Sequence, residues 1–217
     1  METIFSELHR LRNSKTELFG GQLVEPFERP SRAEYIIGRV RDVELGPINE
    51  PDDFGISPIL AVHDKGFIDF LQIAWRDWQA AGFKGEAMPT VWPARRMSHR
   101  IPTDIEGRLG YYALSCETTL SDGTWEAAYA SAQVALTGAQ RLNDGVKAVF
   151  SLCRPPGHHA AIDMYGGYCF VNNAAVAAQH FLDTGAKRVA ILDVDFHHGN
   201  GTQDIFDTRD DVLFISL

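Results

Sequence analysis

Three absences narrow what this chain of 217 residues can be. It has no run of about 18 apolar residues, the length that a membrane-spanning helix needs, and its N-terminus lacks the apolar segment of a secretory signal. It has only 3 cysteines, Cys116, Cys153 and Cys169, in neither paired nor metal-finger spacing. These absences predict a cytoplasmic protein with reduced thiols, without membrane contact and without a disulfide framework.

Positive charge is also scarce, because 20 Lys and Arg residues stand against 29 Asp and Glu residues and the formal net charge is -9. Binding to a nucleic-acid backbone needs clustered basic side chains, so this balance argues against a nucleic-acid partner. A cationic ligand suits it better, and solubility alone is the alternative explanation. A chain of this length buries enough surface to fold without metal, so any bound metal is expected to serve chemistry.

The later part of the chain alternates strand-like and helix-like segments. Apolar runs at 146–152, 188–195 and 211–217 predict buried strands, and 172–184 predicts an Ala-rich helix. This alternation favours an α/β fold with a mainly parallel sheet. No repeat or linker divides the chain, so we predict one domain. Because an apolar strand occupies the last residues, we predict that 1–217 is the N-terminal portion of that domain.

The earlier part of the chain predicts a strand at 1–5 and helices at 32–43, 66–81 and 124–142. Asp122 is the expected N-cap of the last of these helices. The aromatic stripe of the 66–81 helix is expected to face the core.

A long loop insertion is predicted at about 83–110. This segment contains three prolines and shows no clear periodicity. Loops of this length in compact domains are usually functional, so we expect it to form a wall of the active site or a dimer contact.

Two polar clusters follow predicted strands, where ligands collect in parallel α/β sheets. The second reads DVDFHHGNG at 193–201. Because alternate residues of a strand face one side, Asp193, Asp195 and His197 are expected to project together. Carboxylate and imidazole suit a catalytic zinc ion, which takes three protein ligands, so a third ligand must come from elsewhere.

The first cluster reads RPPGHH at 154–159 and contains the adjacent pair His158 and His159. A neutral imidazole near pH 7 can take a proton from water and return it to a leaving amine. Such pairs also serve as loop contacts, but two pairs beside an Asp-x-Asp sequence favour a metal hydrolase. A phosphate cradle at 199–202 is the runner-up, although it lacks the glycine spacing of nucleotide-binding loops.

Three strings carry a family resemblance: RPPGHHA at 154–160, GGYCFVNNAAVAA at 166–178 and ILDVDFHHGNGTQDIF at 191–206. Here the chain resembles the arginase-like zinc deacetylases, which include histone deacetylases and acetylpolyamine amidohydrolases. The segments at 5–30 and 100–112 are most similar to the acetylpolyamine amidohydrolases. The resemblance implies a three-layer arginase/deacetylase-type fold with a mainly parallel central sheet, incomplete at its C-terminus.

The resemblance implies that Asp195 and His197 are zinc ligands and that His158 and His159 are catalytic. His159 is expected to be the general base and acid, with His158 assisting electrostatically. The resemblance also implies two residues that act near these four. Asp193 would orient His158, and Asn200 stands where some relatives have an Asp. Because an amide does not balance a positive charge, His159 is expected to be less basic here.

For the substrate, the resemblance implies that Gly167 and Tyr168 line a tunnel. Glu106 and Glu117 are expected to place acidic groups near a cationic chain, although ordinary solvated carboxylates are the alternative. The insertion at 88–105 is expected to form a homodimer that narrows the site.

The resemblance also implies a structural potassium ion bound near the main chain of five residues. These are Asp193, Asp195, His197, Ser216 and Leu217. It places the third zinc ligand, an Asp, and a tyrosine that polarises the acetyl carbonyl beyond Leu217. It also places late strands between the two strands that carry the clusters, so residues 1–217 are expected to leave a gap in the sheet.

We therefore predict zinc-dependent hydrolysis of the acetyl amide of N-acetylated polyamines. One alternative is a deacetylase of acetyl-lysine or of another small amide. A second is an inactive chain or assembly partner that lacks the third zinc ligand and the tyrosine.

Overall fold

A computed structural model describes residues 1–94, 96 and 98–217. The strands are β1 (Glu2–Ile4), β2 (Glu17–Phe19), β3 (Gln22–Val24), β4 (Ile48–Asn49), β5 (Val149–Ser151), β6 (Val189–Asp193) and β7 (Val212–Ser216). The α-helices are α1 (Pro30–Asp42), α2 (Ser57–Leu60), α3 (Lys65–Ala80), α4 (Ile105–Tyr112), α5 (Thr124–Asn143), α6 (Asn173–Asp183) and α7 (Asn200–Phe206). A 3-10 helix at Glu7–Leu11 precedes β2.

The strands confirm the predicted α/β fold with mainly parallel pairing. Strand β1 lies between β4 and β5 and is parallel to both, and β6 is parallel to β7. Among the strands of the described residues, only β2 and β3 pair in an antiparallel manner. Within these residues, β5 and β6 share no hydrogen bonds, and an apolar cleft of about 690 Å³ separates them. The parallel strands thus form two sheets, with the cleft at the place where the resemblance predicts a gap.

One buried cluster joins α3, α4, α5 and α6 to β6 and β7, and a second joins α1 to the sheet of β4, β1 and β5. The α3 stripe faces inward as predicted, because Phe67, Phe70 and Trp78 are all buried. Small residues of α5 permit close approach to its neighbours, and a Cβ on Gly138 would lie 2.1 Å from the Ser151 hydroxyl oxygen. In residues 1–94, 96 and 98–217, no helix has the length and apolar character needed to cross a membrane.

The start of α5 corrects one prediction. The N-cap is Gly123, in the left-handed conformation at φ 73°, and no side chain caps the helix, so Asp122 is not its cap. The tight approach to the 3-10 helix explains this choice, since a Cβ on Gly123 would lie 2.7 Å from that of Leu11. Only glycine combines this φ with such close packing.

The segment 83–110 also contains regular structure that was not predicted. Helix α4 begins at Ile105, and its N-cap Asp104 accepts a hydrogen bond from the Gly107 amide at 2.7 Å. Two residues of this insertion, 95 and 97, lie outside the described residues.

Candidate active site

The first histidine of the predicted pair is oriented by a carboxylate from the neighbouring sheet. His158 follows β5, and its Nδ1 lies 2.9 Å from the Asp193 Oδ2 at the end of β6. Because the carboxylate only accepts, Nδ1 carries the hydrogen and Nε2 is free to act as a base or an acid. The two polar clusters of the sequence therefore meet in one place.

The second histidine has an amide partner instead. His159 Nδ1 donates to the Asn200 Oδ1 at 2.5 Å, which again leaves Nε2 for chemistry. Burial is the main cause that lowers the pKa of His159, and repulsion from His158 and His197 lowers it further, while the hydrogen bond to Asn200 opposes this. A lowered pKa keeps this imidazole neutral near pH 7, as a general base requires.

The start of α7 positions the histidine pair through the main chain. The amides of Gly201 and Thr202 donate to the His158 carbonyl at 3.0 and 3.1 Å. Asn172, the N-cap of α6, donates to the Thr202 hydroxyl and to the Ala160 carbonyl, both at 3.0 Å. These amides satisfy protein carbonyls, so the geometry does not favour the phosphate cradle considered at 199–202.

The two expected metal ligands lie next to the histidine pair. The Asp195 Oδ1 accepts the His197 amide at 2.8 Å and lies 3.3 Å from the His197 Nδ1. The amide hydrogen bond is the main cause that lowers the pKa of Asp195, so the carboxylate is ionised and able to bind a cation. The His159 and His197 rings are 6.1 Å apart.

Asp195 and His197 fit zinc by donor type, since carboxylate oxygen and imidazole nitrogen are among its ordinary ligands. They would supply two ligands. Across residues 1–94, 96 and 98–217, no group of three or more His, Cys, Asp or Glu side chains is arranged to hold a metal ion. The described residues therefore offer two candidate donors and no complete metal site.

A pocket of about 670 Å³ opens beside these side chains. Its lining residues are Glu17, Phe19, Phe27, Glu28, Arg32, Glu117, Pro156, His158, His159, Gly167, Tyr168, Asp195, Phe196 and His197. Four carboxylates and one guanidinium thus line the pocket, which favours a cationic ligand.

The expected substrate-binding residues divide between two places. Gly167, Tyr168 and Glu117 line the pocket, whereas Glu106 lies in a different cleft and accepts from the Thr90 hydroxyl at 3.3 Å. The structure therefore brings Glu117 to the histidine pair and does not bring Glu106 there within this chain.

Three of the five residues expected near a potassium ion, Asp193, Ser216 and Leu217, lie together. Asp193 pairs with Ser216 in the parallel register, and the Asp193 carbonyl accepts the Leu217 amide at 3.1 Å. The Ser216 hydroxyl accepts the Gly199 amide at 3.3 Å.

The N-terminal arm, residues 5–30, adds pocket residues that the sequence reasoning missed. Glu28 is 7% exposed and forms a bidentate pair with Arg154, at 2.8 and 2.9 Å. Arg154 belongs to the loop that carries the histidine pair, so this buried ion pair ties the arm to that loop. The only sequence signal for Glu17 and Phe19 is that they lie in the segment 5–30, which carries part of the family resemblance.

Comparison with known proteins gives consistent results. The profile of the histone deacetylase domain matches residues 26–217. An acetylpolyamine amidohydrolase of Mycoplana ramosa is 61% identical over 217 residues, which are 100% of this chain and 64% of that protein. Acetylpolyamine amidohydrolase 2 of Pseudomonas aeruginosa is 56% identical over 217 residues, which are 100% of this chain and 63% of that protein.

Comparison with solved structures agrees with the sequence comparison. A crystal structure of an acetylpolyamine aminohydrolase from Burkholderia pseudomallei matches with a TM-score of 0.91 at 40% identity, covering 100% of this chain and 62% of that one. The chain spans less than two thirds of the length of these relatives. By the extent of the profile match and by its fold, the chain belongs to the histone deacetylase domain family.

Proposed function

We propose that this protein is a zinc-dependent deacetylase that hydrolyses the acetyl amide of N-acetylated polyamines, releasing acetate and the polyamine. The observation that carries the proposal is the arrangement of His158 and His159, each oriented through Nδ1, beside Asp195 and His197 in a pocket rich in carboxylates. The names of the relatives from Mycoplana ramosa and Pseudomonas aeruginosa support the same substrate class.

Each histidine has a separate task in this proposal. His159 Nε2 takes a proton from the attacking water, while Asn200 holds the ring through Nδ1. His158 lies with its ring centre 4.0 Å from that of His159, and Asp193 stabilises positive charge on it. Return of the proton to the amine nitrogen lets the polyamine leave. Zinc on Asp195 and His197, when bound, supplies Lewis acidity toward the acetyl carbonyl and acidifies water.

The pocket wall accounts for the choice of a cationic chain. Glu117 lies in the pocket and accepts from the Ser115 hydroxyl, so its charge is held in place. The Tyr168 ring offers a face to an alkyl chain or an ammonium group. The proposal also includes a structural potassium ion near Asp193 and Ser216, a homodimer through 83–110 and a cytoplasmic location. The location rests on three free cysteines.

The activity test compares substrates on one purified, zinc-loaded protein. We expect acetate release from acetylputrescine, acetylcadaverine or acetylspermidine to exceed release from an acetyl-lysine peptide. His159→Ala should lower kcat by at least about 100-fold, the usual contribution of a general base. His180→Ala is the matched control, because His180 lies by Phe54 and Gln140 and does not line the pocket, and it should act as wild type.

Two results would contradict the proposal. Turnover of the acetyl-lysine peptide without turnover of any acetylpolyamine would favour the lysine deacetylase. Absence of all turnover, together with absence of bound zinc, would favour the inactive chain or assembly partner.

A further inference from the structure

We propose that Glu17 is a positioning residue of the active site: its carboxylate holds the Tyr168 hydroxyl and so fixes the aromatic wall of the pocket beside His159. This inference rests on the proposed function for its activity readout. Its structural part concerns the contact between Glu17 and Tyr168 and is testable without turnover.

Glu17 is a buried carboxylate whose two oxygens are both used. It is 3% exposed. The Tyr168 hydroxyl donates to Oε1 at 2.6 Å, and the Phe27 amide donates to Oε2 at 3.0 Å. One side chain therefore joins the pocket wall to the N-terminal arm. A buried carboxylate with two short donors is a rigid anchor, since moving it would leave a charge unpaired.

Tyr168 needs such an anchor because its backbone is strained. It has φ 66° in the left-handed region, which costs a non-glycine residue free energy unless its surroundings hold it there. Thr118, which is fully buried, accepts the Tyr168 amide at 2.9 Å. Thr118 thus holds the main chain and Glu17 holds the hydroxyl, so the ring is fixed at both ends. Burial and the Glu17 carboxylate both raise the pKa of Tyr168, so the hydroxyl remains a donor.

The anchored segment adjoins the general base through Gly167. The preceding residue, Gly167, is so close to His159 that a Cβ there would lie 2.2 Å from the imidazole Cδ2. A shift of the Tyr168 segment would therefore displace the His159 ring. Displacements of about 1 Å can cost catalysis on the order of 100-fold.

The two residues before Glu17 are held by a second carboxylate. Glu86 accepts the amides of Lys15 and Thr16 at 2.7 and 3.0 Å, and it also accepts the Thr16 hydroxyl at 2.8 Å. These bonds fix the chain immediately before β2, where Glu17 begins the strand. The position of Glu17 is therefore determined from outside the pocket and does not depend on substrate.

The test separates positioning from direct attraction of a cation. It uses acetylputrescine and the neutral N-pentylacetamide, which has a similar length and no ammonium group. Glu17→Ala should lower kcat/KM by about 10- to 100-fold for both substrates, as expected for loss of a buried hydrogen bond to a charged group. Glu17→Gln should stay within about threefold of wild type for both. Its amide can accept from Phe27 and donate to the Tyr168 oxygen, which also accepts.

Tyr168→Phe removes the other half of the contact. Alone it should reproduce the loss for both substrates, and in its background Glu17→Ala should cost less than about threefold further. The melting temperatures of wild type, Glu17→Ala, Tyr168→Phe and the double variant should show the same coupling. Glu25→Ala, an exposed carboxylate on the same arm, is the matched control and should act as wild type.

The outcomes decide the proposal in every case. Additive effects of Glu17→Ala and Tyr168→Phe on the melting temperature would overturn it. A loss in Glu17→Ala that was confined to acetylputrescine would also overturn it, because it would mean direct charge attraction. If Glu17→Ala did not fold, full activity of Tyr168→Phe would overturn it. If wild type hydrolysed neither substrate, the proposed function would fail, and coupled melting temperatures would still support the positioning contact.

Discussion

At the residue scale, His63 links the stability of the fold to pH. It is 3% exposed and joins two loops of the active-site region. The Asn172 amide donates to its Nε2 at 2.9 Å, so its Nδ1 carries the hydrogen and donates to the Ala161 carbonyl at 2.8 Å. Burial lowers the pKa of His63 from 6.5 to about 4. The folded protein therefore holds this ring in the neutral form.

This pKa predicts loss of stability under mild acid. Below pH 6.5 the unfolded chain takes up a proton that folded His63 accepts only near pH 4. The contribution is thus fully present above pH 6.5 and is lost as the pH falls toward 4, by up to about 3 kcal/mol. The free energy of unfolding, measured by urea titration at several pH values, should fall less steeply for His63→Gln than for wild type.

The matched control is His198→Gln, because His198 is exposed. Its curve should run parallel to that of wild type, since other groups titrate equally in both proteins. Parallel curves for His63→Gln and wild type between pH 6.5 and 4 would contradict the assignment.

Asn200 supports a second prediction at this scale. A carboxylate in its place would accept the His159 hydrogen and would also balance the positive ring, so Asn200→Asp should raise the pKa of His159. Because a general base acts only when neutral, the loss of activity on acidification would then begin at a higher pH. We expect the acidic limb of the profile of kcat/KM against pH to move upward in Asn200→Asp. A limb that moved downward or stayed fixed would mean that another group controls it.

At the element scale, the turn at Gly167 packs directly against the His159 ring. Gly167 has φ 54°, and a Cβ there would lie 2.2 Å from the His159 Cδ2. Gly167→Ala should therefore displace the imidazole and lower kcat/KM on the order of 100-fold. Both the φ and the contact contribute to the effect, so a control must separate them.

Gly82 provides that control. It follows α3 with φ 83°, and a Cβ on it would meet nothing within 4 Å. Gly82→Ala should cost about 1 kcal/mol of stability in a denaturant titration and leave kcat/KM unchanged. Equal losses of activity in the two variants would show that backbone strain, and not contact with His159, limits Gly167.

The elements also show which parts of the molecule the sequence could predict. The strands that end at Ser151 and Asp193 carry local signals, namely apolar runs followed by histidines and carboxylates, and these could be predicted. The N-cap of α5 could not, because Gly123 is required by packing against Leu11, far away in the sequence. Local periodicity contains no information on such contacts.

The candidate site divides in the same way. Its histidines, Asp193 and Asn200 lie in two short strings, and the fold brings Asp193 to His158 and Asn200 to His159. Glu17 was missed because its partner, Tyr168, is 151 residues away. Similarly, only the fold separates Glu106 from Glu117, which place their carboxylates in different clefts.

At the scale of the whole molecule, charge and pocket act in the same direction. The chain has a net charge of -9, and Glu17, Glu117 and Asp195 line its pocket together with Glu28, whose charge is paired with Arg154. A field of this sign raises the local concentration of a cation and speeds its association. Exposed charges separated by more than about 10 Å are screened at 0.1 M salt, so this long-range part of the attraction depends on ionic strength.

Salt should therefore distinguish substrates by charge. Raising the ionic strength from about 0.02 M to about 0.5 M should lower kcat/KM for acetylputrescine several-fold, mainly through KM, because screening weakens attraction before contact. Acetylspermidine, with one more ammonium group, should lose more, and neutral N-pentylacetamide should change little. The measurement is initial-rate kinetics at fixed pH in two different salts. An equal loss for the charged and neutral substrates would mean that salt acts on the fold, and that the acidic surface serves solubility alone.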